Sequence, residues 1–114
     1  MTAPGAASPP RAVRVPIAAP VGCRWGAIGD FFPEYASDVS TSGVFIRSPA
    51  PRPVGTLVFL QVALQESART VEALGRVARI GRDSGGEPGM GVQFLTLDDE
   101  SRALVDQLVA VGRR

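Results

Sequence analysis

Between Ala18 and Leu95, apolar and polar residues alternate with a period of two, as in a half-buried β-strand. Clusters of Gly, Pro, Asp and Ser break this alternation into segments. Val21, Cys23 and Trp25 fall on one face of a first strand expected over Ala18–Gly26, with Arg24 on the other. Pro16 holds Val15 extended on the way in. Gly26 to Asp30 reads as a turn. Phe31–Ser37 reads as the next strand, with Pro33 marking an edge or a bend. Gly43–Arg47 is a third strand, and Pro49, Pro51 and Pro53 after it exclude ladder pairing and make a loop. The apolar run over Val54–Leu64 fits a strand or a buried helix by periodicity, and Gly55 with its Pro-rich approach favours a strand. Glu66 to Thr70 is a polar connection. Alternation resumes over Val71–Arg82, with Val71, Ala73, Gly75, Val77 and Arg79 on one face and Leu74, Arg76, Ala78 and Ile80 on the other. That count sets Arg79 opposite Arg76 and Arg82. Asp83–Gly89 holds Gly85, Gly86 and Pro88 and reads as a hairpin loop, after which Met90–Leu95 returns as a strand.

The period changes after Leu95. Thr96 with Asp99, or Asp98 itself, can cap the free N–H groups of a helix start, and the acidic residues there suit the positive end of its dipole. Leu97, Leu104, Leu108 and Val111 recur at helical spacing with Val105 alongside, so one helix is expected from Asp98 to about Val111. Short strands separated by turns, then one helix, predict a mainly β chain: a small antiparallel six-stranded β-barrel with one C-terminal α-helix across it. Residues 1–10 can bury little and read as a flexible tail, leaving one domain over 11–114.

Composition narrows the chemistry. The apolar fraction is 45% of 114 residues, enough for a packed core, and the net charge is +1. No strong field therefore draws the chain to DNA, RNA or an anionic membrane, and a nucleotide site would have to be a local cluster of arginines. Every basic residue is Arg, a side chain whose fork suits phosphate and guanine, although GC-rich coding gives the same bias. No His is present, which removes the usual general base and the commonest metal ligand. Without His or Lys no set of nucleophile, base and orienter assembles, so neither an enzyme nor a metal site is expected. Asp98, Asp99 and Glu100 read as capping residues. Cys23 is the single cysteine and reads as a small buried side chain in a reducing cytoplasm. No segment reads as a signal peptide or a membrane span.

Asp38-Val39-Ser40-Thr41-Ser42-Gly43 sets two short polar side chains and a bare backbone at the mouth of the third strand. Alone, these residues are a common turn before a strand. They equally suit a ligand, because Asp and Ser present acceptors and a donor, and Gly permits positive φ or close approach to the main chain. Upstream lie Arg11 and Arg14, which read either as a solvated basic pair or as phosphate ligands. Guanine offers two acceptors on one edge for an arginine fork, donors on another for a carboxylate, and faces that stack on guanidinium planes.

Taken in order, Arg14-Val15-Pro16-Ile17, Asp38-x-Ser40-x-x-Gly43, Gly75 to Ile80, Gly89 to Leu95 and the closing helix resemble the PilZ domain family, bacterial receptor modules for cyclic di-GMP. The resemblance runs from about Arg11 to the C-terminus, and its most specific element is Asp38-x-Ser40-x-x-Gly43. It implies a non-catalytic receptor without a cofactor, in which arginines close over cyclic di-GMP while Asp38 and Ser40 hold one guanine. The family's arginine element has three residues between its two arginines. Arg14 matches the second, Pro10 stands at the first, and Arg11 lies one place nearer. The resemblance thus marks Arg11, Arg14, Asp38, Ser40 and Gly43 as ligand-binding. This sequence has no attached output domain, so the expected signal leaves through a protein partner, in motility, pilus or exopolysaccharide control. An adaptor that no longer binds nucleotide, and a structural homodimer using the Leu57–Leu64 run, are the alternatives.

Overall fold

The computed structural model describes residues 13–26, 31–64 and 68–112. Six strands, β1 (Val15–Arg24), β2 (Phe32–Val39), β3 (Gly43–Arg47), β4 (Leu57–Leu64), β5 (Arg69–Arg82) and β6 (Pro88–Leu97), precede one helix, α1 (Asp99–Gly112). The strands close into a barrel in the order β1-β2-β3-β6-β5-β4. Every neighbouring pair is antiparallel, so no sheet edge is left open.

The alternation in the sequence becomes inside and outside. Val21 and Cys23 of β1, Val44 and Ile46 of β3, Val58, Leu60 and Val62 of β4, and Met90 and Val92 of β6 fill the interior. Burial pushes the Cys23 thiol up to about 12, with Glu34 adding to the shift, so it stays protonated and inert. The helix covers one end of the barrel with Leu104, Val105 and Val109. Each such side chain contributes about 1.5–3 kcal/mol on full burial. Asp98 caps α1: its carboxylate accepts from Ser101 N–H at 2.7 Å, which holds the Asp98 carboxyl below its ordinary value. Ser101 Oγ in turn accepts from the backbone N–H of Glu72 at 2.9 Å, tying the helix start to β5.

Several local expectations shift. β4 starts at Leu57 and not at Val54, because Gly55 takes a positive φ of 97° in the preceding turn. Arg69 and Thr70 belong to β5, paired with Leu64 and Ala63. Pro88 and Gly89 belong to β6: a strand's first residue can lack an N–H, and the Pro88 carbonyl accepts from Ser48 N–H at 3.0 Å. Val109 and not Val111 is buried at the far end of α1; Val111 is 55% exposed at the rim of the apolar stripe, where Gly112 packs on Val15. Arg79 does not stand opposite Arg76. A bulge between Val77 and Arg79 adds one residue, Ala78, and flips the parity, so Arg76 pairs with Gln93 and Arg79 with Gly91 on one outer face. The tail over residues 1–10 lies outside the described residues.

Candidate functional site

The residues singled out around Asp38 come together where β2 turns into β3. Val39 faces the core and Asp38 faces outward, as the period of a strand demands. Arg14 stands just before β1, which pairs with β2 through Val15–Val39 and Pro16–Asp38. Its guanidinium donates to the Asp38 carboxylate at 2.6 Å. Arg14 and Asp38 are thus brought together across two strands, with side chains 43% and 20% exposed. Arg11 lies outside the described residues.

Ser40 and Gly43 serve the turn. Ser40 is almost fully buried. Its backbone N–H donates to Gly43 O at 2.8 Å, and its hydroxyl accepts from Ser42 N–H at 3.2 Å and lies 3.1 Å from Ser42 Oγ. Gly43 keeps a negative φ, so backbone handedness is not why glycine stands there. A Cβ at Gly43 would run into the carbonyl oxygen of Val92 on β6. Close approach of two backbones is the reason for this glycine. The turn is also held from outside: Arg102 of α1 donates to Thr41 O at 2.6 Å.

A second pair, absent from the sequence expectations, lies on the same outer face. Arg47, outward on β3, donates to Asp83 at 2.6 Å and lies 5.1 Å over the Tyr35 ring. Asp83 Oδ1 also accepts from the backbone N–H groups of Gly85 and Glu87 at 2.9 and 3.0 Å. Ser37 Oγ lies beside this carboxylate without the geometry of a good hydrogen bond. The Arg47 contact foremost, then the backbone donors, hold the Asp83 carboxyl at about 2. Only the Asp-x-Ser-x-x-Gly spacing followed by an arginine four residues on could have pointed to Arg47; nothing local points to Asp83, 36 residues away.

Between the two pairs lie Phe45, Gly89 and Gly91. Phe45 points away from the core yet is fully buried, lying against Gly89 and under Arg79. Arg14, Arg47 and Arg79 therefore stand on the outer face around Phe45, beside one partly exposed carboxylate. That inventory suits a planar, anionic ligand with hydrogen-bond donors on one edge. Among the described residues no cluster of three or more Cys, Asp or Glu could hold a metal ion. No described helix is long and apolar enough to cross a membrane.

The sequence profile of the PilZ domain matches residues 10–111. The chain belongs to the PilZ domain family. Its fold is shared with solved PilZ structures at low sequence identity. The PilZ domain of YcgR from Escherichia coli, solved with c-di-GMP, superposes with a TM-score of 0.68 at 13% identity, covering 92% of each chain. The Bacillus subtilis inhibitor of motility MotI/DgrA gives 0.75 at 16%, covering 91% of this chain, which spans only 50% of that one. The PilZ domain of CeSA from a cellulose-synthesizing bacterium gives 0.61 at 18%, covering 90% and 99%. No curated protein matches the sequence.

Proposed function

We propose that this PilZ domain is a non-catalytic receptor for cyclic di-GMP that passes the signal to a protein partner in the cytoplasm. The observation that carries this is the Arg14–Asp38 pair, open on the outer face at the mouth of the β2–β3 turn. The Asp38 carboxylate is already oriented by an arginine, so guanine donors meet a fixed acceptor. Arg14, released from Asp38 or shared with it, meets phosphate or the guanine acceptor edge. Arg11, three residues before Arg14 in the sequence, is assigned to the same ligand by the family resemblance. Ser40 and Gly43 hold Asp38 in place more than they touch the ligand, Ser40 through its turn and Gly43 through its approach to Val92. The likeness to a Bacillus inhibitor of motility makes motility the first process to examine. Titration of the purified protein with cyclic di-GMP by calorimetry tests the reading: saturable heat with wild-type protein, weakened in Arg14→Ala and Asp38→Ala, supports it. A folded protein that gives no heat at high micromolar ligand defeats it.

One observation favours a second reading. Pro10 stands where the family carries its first arginine, and a chain with a weakened arginine element suits an adaptor that works through protein contact alone. The partner surface, including any homodimer contact, would then include outward β4 residues such as Leu57, which is 46% exposed. Light scattering across a concentration series reads out the homodimer.

A further inference from the structure

The side of the barrel formed by β1, β4 and β5 carries a groove of its own. Arg24 pairs with Phe59, Phe59 with Leu74, and Leu74 with Thr96, so these outward residues cross β1, β4, β5 and β6 at one level. Three steps between strands of about 4.8 Å make the row about 14 Å long. The row, with Glu72 and Asp98 near its β5–β6 end, lines an open cavity of about 560 Å³. Phe31 forms a wall at the β1 end. It folds back onto β1 where Gly22 leaves room, since a Cβ at Gly22 would stand 3.2 Å from Phe31 Cβ and 3.3 Å from its Cδ1.

The two ends of the groove differ in charge. The guanidinium carbon of Arg24 lies 5.0 Å from the centre of the Phe31 ring and 4.7 Å from that of Phe59. Its Nε donates to Gly26 O at 3.2 Å, and its terminal nitrogens have no hydrogen-bond or ion-pair partner among the described residues. The two rings hold the fork in place and leave its terminal donors for a carboxylate. At the other end Glu72 and Asp98 are exposed, and the Glu72 carboxylate joins no ion pair among the described residues. Phe59 and Leu74, both half-buried, make an apolar floor between the charges.

A closed barrel offers no edge to an added strand, so a partner must enter this groove by its side chains. An α-helix suits the order of charge. Carboxylates are favoured in its first turn and cations in its last, where each offsets the helix dipole. A row of about 14 Å matches about nine helical residues at 1.5 Å each. We infer that the groove docks an amphipathic helix of a partner protein. Its acidic N-terminal turn meets Arg24, its apolar stripe lies on Phe59 and Leu74, and its basic C-terminal turn meets Glu72 and Asp98. The inference rests on the relay to a protein partner proposed above, and on no property of the nucleotide site.

Amide NMR of the labelled protein tests it, by titration with a synthetic helical peptide of this pattern: glutamates in the first turn, leucines along one stripe, lysines in the last turn. Saturable shifts are expected at Arg24, Phe59, Leu74 and Thr96. Affinity should fall about tenfold or more in Arg24→Glu and recover when the peptide's glutamates are exchanged for lysines. Glu72→Lys, which leaves Arg24 and its rings in place, should weaken the original peptide and favour one with an acidic last turn. Thermal melting checks that each variant is folded. Shifts confined to other faces, or unchanged affinity in both folded variants, overturn the inference. So does a wild type with no saturable shift up to about 1 mM peptide. Cyclic di-GMP titrated into the same samples separates the two readings. Nucleotide binding without peptide binding removes the groove and leaves the receptor standing, while peptide binding without nucleotide binding keeps the groove and defeats the receptor.

Discussion

Two arginine–aspartate pairs stand on one outer face of the barrel, each closed at 2.6 Å, and their surroundings make them different objects. Asp83 has its side chain only 2% exposed, and besides Arg47 it accepts two backbone N–H groups that shape the β5–β6 hairpin. Asp38 is 20% exposed, and Arg14 is its only hydrogen-bonding partner among the described residues. The same two side-chain types thus make a saturated brace in one place and an acceptor with spare capacity in the other. Distance does not distinguish a saturated pair from an open one; the number of donors already committed to the carboxylate does.

The strongest way to break this comparison is to remove the ground under the open pair. Gly43→Val would drive a branched side chain into the Val92 carbonyl, where rigid backbone cannot give way. We expect a loss of about 3 kcal/mol or more, visible as a large drop in the thermal midpoint. A variant as stable as wild type would show that β3 and β6 are not held as closely as described.

Exchanging the two aspartates sharpens it. Asp38→Ala should leave the melt almost unchanged, since an exposed ion pair contributes about 0–1 kcal/mol. It should also weaken cyclic di-GMP by about 1–3 kcal/mol, roughly five- to over a hundredfold. Asp83→Ala should do the reverse: a lower thermal midpoint, because Arg47 and the Gly85 and Glu87 N–H groups lose their acceptor, with a smaller change in affinity. The opposite pattern in paired melting and calorimetry would end the distinction between brace and site.

Acid tests the brace by itself. The folded Asp83 carboxyl sits at about 2, below its ordinary value of 3.8. Its lowered value means that its contribution is fully present above 3.8, fades as pH falls between 3.8 and 2, and is gone below. Asp83→Asn should therefore flatten the part of the stability curve that falls in that window. Circular dichroism at fixed temperature across pH 2–5 reads this out, and identical curves for wild type and Asp83→Asn would contradict it.

Much of the barrel was legible because its signal is local. Period-two alternation from Ala18 to Leu95 marks inward side chains one residue at a time, and Asp98 announces the helix. The clustering of the candidate site was legible in part for the same reason, since Asp38, Ser40 and Gly43 lie within one turn. What escaped depends on pairing partners remote in the chain. The Ala78 bulge is a property of the β5–β6 register and not of the run around it, so a strict count put Arg79 on the wrong face. The sequence offered either backbone handedness or close approach as the reason for Gly43, and only Val92 set beside it decides for close approach. The Arg47–Asp83 pair spans two strands and a hairpin, and no spacing rule reaches that far.

The smallest expected effect tests which side of the comparison Ser40 belongs to. Its hydroxyl is buried, accepts from Ser42 N–H and touches Ser42 Oγ, so its present partners lie within the turn. Ser40→Ala removes that acceptor and leaves a backbone N–H to find water, a loss of about 1 kcal/mol in stability. Ligand affinity should fall less than fivefold, through a looser Asp38. If Ser40 instead turned to bond guanine directly, the loss would appear mainly in affinity while the thermal midpoint held. Melting and titration of this one variant, set beside Asp38→Ala, therefore decide whether the motif's serine braces the open pair or extends it.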